Sequence, residues 1–143
     1  MQIGMGGLVS SNYAGLSCTG FPTCNGEWFP AWNYHTGLQM LHRSMGYVVF
    51  VLSLLMRYRV GQSNAGIPAL TQRIVRAMPG LVLFQISLGI VNVLYQIPIS
   101  MSVLHLANAA LMLVLSLCAA LELFAARRPS INHLFTDLES CAE

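Results

Sequence analysis

Residues 36–58 read TGLQMLHRSMGYVVFVLSLLMRY, and this stretch decides the fold. Between Ser44 and Met56 there is no charged residue, and with the residues ahead of His42 the apolar run reaches the roughly 20 needed to cross a bilayer. It reads as a membrane helix carrying a His-Arg pair, His42 and Arg43, near its start. An arginine at mid-helix costs about 2.5 to 3.5 kcal/mol on insertion scales, so such residues usually face the bundle interior and have a task there.

The whole composition agrees. Of 143 residues, 55% are hydrophobic and 8% charged, against roughly 25% charged in soluble domains, and the mean hydropathy is +0.62. These values exclude an ordinary soluble domain and point to an all-α integral membrane protein. All seven basic residues are arginine and flank the apolar runs without forming a basic stripe, so no nucleic-acid partner is expected. The start, MQIGMGGLVS, lacks the charged end and apolar core of a cleavable signal peptide, so insertion is expected to rely on the spans themselves.

Downstream, residues 57–76 hold four of the seven arginines, and an uncharged run from Ala77 to Leu121 follows. That run is too long for one helix. Ile97-Pro98-Ile99-Ser100 divides it, giving membrane helices at about 36–58, 77–97 and 101–125. Arg127 and Arg128 close the third span, and 129–143 reads as a polar cytoplasmic tail with Asp137, Glu139 and Glu143. Upstream, residues 11–35 are rich in Gly, Pro and Asn and form a loop, with Trp28, Trp32 and Tyr34 as an interfacial aromatic belt. Residues 1–10 are too short to span. Yet Gln2-Ile3-Gly4-Met5-Gly6 is echoed by Gln85-Ile86-Ser87-Leu88-Gly89, and each copy precedes a loop and a helix with a histidine near its beginning. The chain therefore reads as a two-helix unit present twice, with 1–10 as the outer end of a cut first helix and about ten more apolar residues expected upstream.

Short Arg-rich loops stay in the cytoplasm, which puts 57–76 and 127–128 inside and 11–35 and 97–100 on the periplasmic or equivalent oxidising side. On that side Cys18 and Cys24, separated by a Pro-containing turn, are expected to form a disulfide; two reduced loop cysteines are the alternative. Cys118 and Cys141 read as free thiols.

His42 and His105 each lie about four or five residues inside the outer end of their helices, roughly 6 to 8 Å below the boundary. Both helices run inward, so two imidazoles at one depth can take the two axial positions of one haem iron. Taken singly, each reads first as a hydrogen-bonded packing residue; the matched depth is what turns the reading towards iron. Gly46, Val49 and Ser53 below His42, and Ala109, Met112 and Ser116 below His105, leave room for a macrocycle or serve plain helix packing. Gln85, Gly89, Asn92 and Gln96 share one face, which must look inward, to a cofactor or to amide bonds between helices. Arg43 is expected to pair with a haem propionate, or else to snorkel to the interface. Asn108 is a further partner for the His105 station. His35 and His133 are not assigned to iron, and two histidines without a third ligand at their depth do not make a zinc site. Glu122 reads as a boundary charge.

The string Gly6-Gly7-Leu8-Val9-Ser10-Ser11-Asn12-Tyr13-Ala14-Gly15-Leu16-Ser17-Cys18, then Phe21-Pro22-Thr23-Cys24-Asn25-Gly26-Glu27-Trp28-Phe29-Pro30, then His42-Arg43 and His105, resembles the haem A synthases of the CtaA type. It is most similar to the C-terminal half of proteobacterial members, over about residues 2–125. The resemblance implies that residues 1–128 form half of a haem-binding four-helix transmembrane bundle with its first helix truncated, in the bacterial inner membrane. It implies haem b held by His42 and His105, within an oxidoreductase that converts haem O to haem A by taking the C8 methyl to a formyl. In that family a catalytic glutamate lies three residues before the His-Arg histidine of the other half. Here that position is Gln39, so no catalytic residue is assigned in this chain. A catalytic partner half, or a second copy, is expected, and the gene reads as split, truncated or mis-started. Two alternatives stand beside this: a small bis-His membrane cytochrome b exchanging electrons with quinone or another carrier, and a haem-free assembly subunit.

Overall fold

The computed structural model describes residues 1–63 and 66–126. It is all-α, with helices α1 (Gln2–Ser11), α2 (Tyr34–Gln62), α3 (Ala69–Leu94) and α4 (Ile99–Ala126), and a 3-10 turn at Ala14–Leu16. α2, α3 and α4 have 29, 26 and 28 residues and are apolar enough to cross a membrane. At 1.5 Å per residue each is about 40 Å long, so each overshoots a hydrocarbon layer of about 30 Å. Large apolar side chains such as Leu106 and Phe124 stand 69% exposed on the outer faces. A continuous surface of that kind is stable only against lipid or another apolar body. The chain is a multi-pass membrane protein.

The helices pack in sequence order, α1 on α2, α2 on α3 and α3 on α4; among the described residues α2 and α4 share no extensive interface. α3 is thus the central wall, and α2 and α4 flank it while running in the same direction.

The third helix starts earlier than its hydropathy implies. Residues 57–62 extend α2 and 69–76 belong to α3, so the Arg-rich segment 57–76 is mostly helical, not a loop. The cause is tertiary. Thr71 is 2% exposed, and the Glu122 carboxylate accepts hydrogen bonds from its backbone N–H (2.7 Å) and its hydroxyl (2.5 Å). The first N–H groups of a helix lack partners within it and favour negative charge, so Glu122 of α4 caps α3 from the side. Its reading as a mere boundary charge is corrected. Arg57 donates to the Arg76 carbonyl (2.6 Å), tying the C-terminal part of α2 to the N-terminal part of α3.

α3 also stops earlier, at Leu94 rather than 97. Gln96 and Ile97 take left-handed φ values of 57° and 60°, and the Ile97 N–H reaches back to the Asn92 carbonyl (2.6 Å). Gln96 therefore lies in the turn and leaves the face it was expected to share with Gln85, Gly89 and Asn92. α2 begins at Tyr34, where the Asn33 side chain accepts from the Thr36 N–H (2.9 Å), an N-cap bond.

Before α2, the connecting loop folds on the Cys18–Cys24 disulfide. Cys24 and Glu27 exchange two backbone hydrogen bonds across Asn25-Gly26, both with positive φ, as a tight two-residue turn requires. Asn25 further accepts from the Thr19 N–H and donates to the Ser17 carbonyl, at 3.0 Å each. The tail 129–143 with Asp137, Glu139 and Glu143, and with it Arg127, Arg128, His133 and Cys141, lies outside the described residues.

Candidate functional site

His42 lies eight residues past the first residue of α2 and His105 six past that of α4, about 12 and 9 Å along the axes. Both are deeper than the sequence implied because the helices begin earlier, and their levels agree to within one turn. Both side chains are half-buried, while the neighbouring Leu41 and Leu104 face outward.

Each ring rests on a glycine of the preceding helix. A methyl at Gly6 of α1 would come within 3.1 Å of His42 Cε1, and one at Gly89 of α3 within 3.4 Å of His105 Cε1. A glutamine four residues earlier holds the same histidine by its backbone: Gln2 Nε2 donates to the His42 carbonyl (2.9 Å) and Gln85 Nε2 to the His105 carbonyl (3.0 Å). The sequence echo thus reappears as two equivalent stations. Asn108 was expected beside the His105 imidazole. It instead donates to Gln85 Oε1 (2.8 Å) and to the Leu81 carbonyl (3.1 Å), fixing the glutamine. Asn92 Oδ1 accepts from the Ser102 hydroxyl (3.2 Å).

Among the described residues two buried side-chain polar atoms lack a partner, His105 Nδ1 and Gln2 Oε1, and both belong to these stations. Buried polar atoms are almost always paired, so an unpaired one calls for an explanation such as a missing group. Two imidazoles at one level, on helices that do not pack closely on each other, form a donor set that fits haem iron. Below them a cavity of about 160 Å³ opens between the C-terminal halves of α2 and α4 and the N-terminal half of α3, lined by Ser53, Met56, Ile74, Met78, Ser116 and Ala119 among others. Ser53 and Ser116, two of the small residues singled out in the sequence, thus border open space.

Arg43 and Gln39 serve the loop. Arg43 donates to the carbonyls of Cys18 (2.8 Å) and Gly20 (3.1 Å). Two of its five N–H donors are committed there, and among the described residues no hydrogen bond engages the others. Gln39, 3% exposed, accepts from the Cys18 N–H (2.6 Å) and donates to the Gly15 carbonyl (2.7 Å). Sequence reading missed this latch, although an amide at a position flanked by apolar residues was the available signal.

Residues 1–117 match the family model COX15-CtaA, cytochrome oxidase assembly protein. The chain belongs to this family. Among its relatives, the heme A synthase of Shewanella oneidensis is 34% identical over 79% of this chain and 40% of its own length. That of Paracoccus denitrificans is 32% identical over 83% of this chain and 34% of its own. Heme A synthase COX15 of Saccharomyces cerevisiae is 29% identical, covering 92% of this chain and 32% of its own. The chain therefore spans about a third to two fifths of the length of these COX15-CtaA relatives. No solved structure matches it.

Proposed function

We propose that this chain is the haem b-binding half of a haem A synthase-type membrane oxidoreductase, with His42 and His105 as the axial ligands of the iron. The observation that carries this reading is the pair of equivalent histidine stations at one level on α2 and α4, with His105 Nδ1 buried and unpartnered. Haem bound there would supply one-electron chemistry. The chain's own part is to present two imidazoles from parallel helices and to exclude water with the disulfide loop. The free donors of Arg43 pair with a propionate near the outer surface.

Gln39 stands where a catalytic carboxylate would be needed, and its amide is engaged on both sides by the loop. Conversion of haem O to haem A is accordingly assigned to a complex of this chain with a catalytic half; a second copy would rebuild the eight-span body but carries Gln39 as well. The same engagement of Gln39 favours a second reading, a bis-His cytochrome b that exchanges electrons with quinone or another carrier and makes no haem A. In both, the chain lies in a bacterial inner membrane with 11–35 periplasmic and the Arg-rich inner ends and C-terminus cytoplasmic.

The deciding experiment is a visible spectrum of the purified protein, oxidised and reduced, with haem B supplied. Low-spin bands lost in both His42→Ala and His105→Ala are expected, and a colourless wild type refutes the haem reading. Reconstitution with a catalytic half and haem O then separates the two functions by the presence of haem A. An impermeant thiol reagent added outside should label Phe29→Cys and spare Gly61→Cys; the reverse pattern overturns the orientation.

A further inference from the structure

The haem reading accounts for the two histidines but not for the residues that repeat around them. Gln2 and Gln85 each lie nine residues before the last residue of their helix, Ser11 and Leu94. Each amide spans an inter-helix gap to the backbone carbonyl of a histidine, and each is followed by a glycine on which the same ring corner, Cε1, rests. Amide-to-carbonyl bonds between membrane helices can simply promote association. Association alone does not explain why both bonds end on the histidine residue itself, nor why a glycine clears the ring in both units.

We propose that Gln2 and Gln85 are positioning residues for the His42 and His105 imidazoles, and that Gly6 and Gly89 are the seats that set the planes of the two rings. This rests on the haem reading above. By holding the histidine backbone, the amide fixes where the Cα–Cβ bond starts; the glycine then limits how far the ring can turn about it.

The two stations differ in two respects. In the second, Gln85 Oε1 is engaged by Asn108, three residues after His105. In the first, the residue three after His42 is Met45, which offers no amide, and Gln2 Oε1 is left buried without a partner. Gln2 Nε2 also lies 3.3 Å from His42 Nδ1, so this amide contacts the ring as well as the backbone. His105 Nδ1 has no such partner, so the first station holds its ring more directly while its glutamine is the less fully braced of the two, and Met45→Asn is the substitution that would brace it.

The test uses the full chain loaded with haem B and reads electron paramagnetic resonance of the oxidised protein, because the largest g value of a bis-imidazole ferric haem follows the angle between the ring planes. Gln2→Leu and Gln85→Leu should stay low-spin, bind haem roughly two- to tenfold more weakly, the range of one lost hydrogen bond, and shift that g value. Gly6→Ala should shift it more than Gly89→Ala, since its methyl would stand 3.1 Å rather than 3.4 Å from the ring. Alanine favours the helix, so a failure to fold is not the expected cause of either change. Met45→Asn should tighten haem binding and narrow the signal. A g value unmoved in all four weakening variants, with haem bound normally, overturns the inference alone. A colourless wild type overturns the haem reading and this inference with it.

Discussion

Gln39→Met isolates the latch between α2 and the disulfide loop. Methionine keeps the length and unbranched shape of the side chain but neither accepts from the Cys18 N–H nor donates to the Gly15 carbonyl, bonds of 2.6 and 2.7 Å at a side chain that is 3% exposed. Each buried group left unpaired costs about 1 to 3 kcal/mol, and the more apolar side chain returns part of that on burial. A net loss of about 2 to 4 kcal/mol follows, which is roughly a 30- to 900-fold rise in the population with the loop open. Cys18 and Cys24 are both fully buried, so a reductant reaches their bond only through that open state. The assay is the rate at which a water-soluble phosphine reduces the bridge in membranes, followed by the mass added on thiol alkylation. When reclosing is faster than reduction, the rate follows the open population, and the variant should be reduced faster by about that factor. A rate within threefold of wild type would refute the assignment of the latch to Gln39 and leave the loop held by Arg43 and Asn25.

Two further outcomes follow from contacts made only in three dimensions. Gly15→Ala would place a methyl 2.8 Å from Ile97 Cδ1, the end of a flexible, 41% exposed side chain that can turn away about χ2; a loss of at most about 1 kcal/mol is expected. The fluorescence of Trp28 and Trp32, the only two tryptophans, should report a lower unfolding midpoint, and Ile97→Val, which removes Cδ1, should restore it. Glu122→Ala leaves the Thr71 N–H and hydroxyl without their carboxylate and should cost about 2 to 4 kcal/mol. Faster amide exchange confined to the first turns of α3 is the expected sign. Glu122→Gln, which keeps an acceptor, should lose less, and equal protection in all three proteins would rule out the cap.

Hydropathy alone was enough to read the membrane class and the number of long spans. In lipid the backbone must satisfy itself within each helix, so span identity depends on local composition and length, which a sequence displays directly. The echo between Gln2–Gly6 and Gln85–Gly89 was also visible, but its meaning was not. The contacts that give it sense join residues 40 and 20 positions apart, and their geometry depends on how α1 meets α2 and α3 meets α4.

Where each helix begins and ends was likewise decided by packing. Glu122 caps α3 eight residues ahead of the expected start, at Ala69 rather than 77, and the reversed backbone at Gln96 and Ile97 closes it three residues early. The same holds for the polar residues beside the site. Composition placed Arg43 and Gln39 in a helix that crosses the membrane, but only the folded loop shows both turned towards its carbonyls. A hydrogen-bonding side chain inside a bilayer must find a partner, and chain order says that it will without saying which one. The partner is fixed when the elements meet, and in this protein it fixes both the latch over the site and the glutamine-glycine seats beneath the two imidazoles.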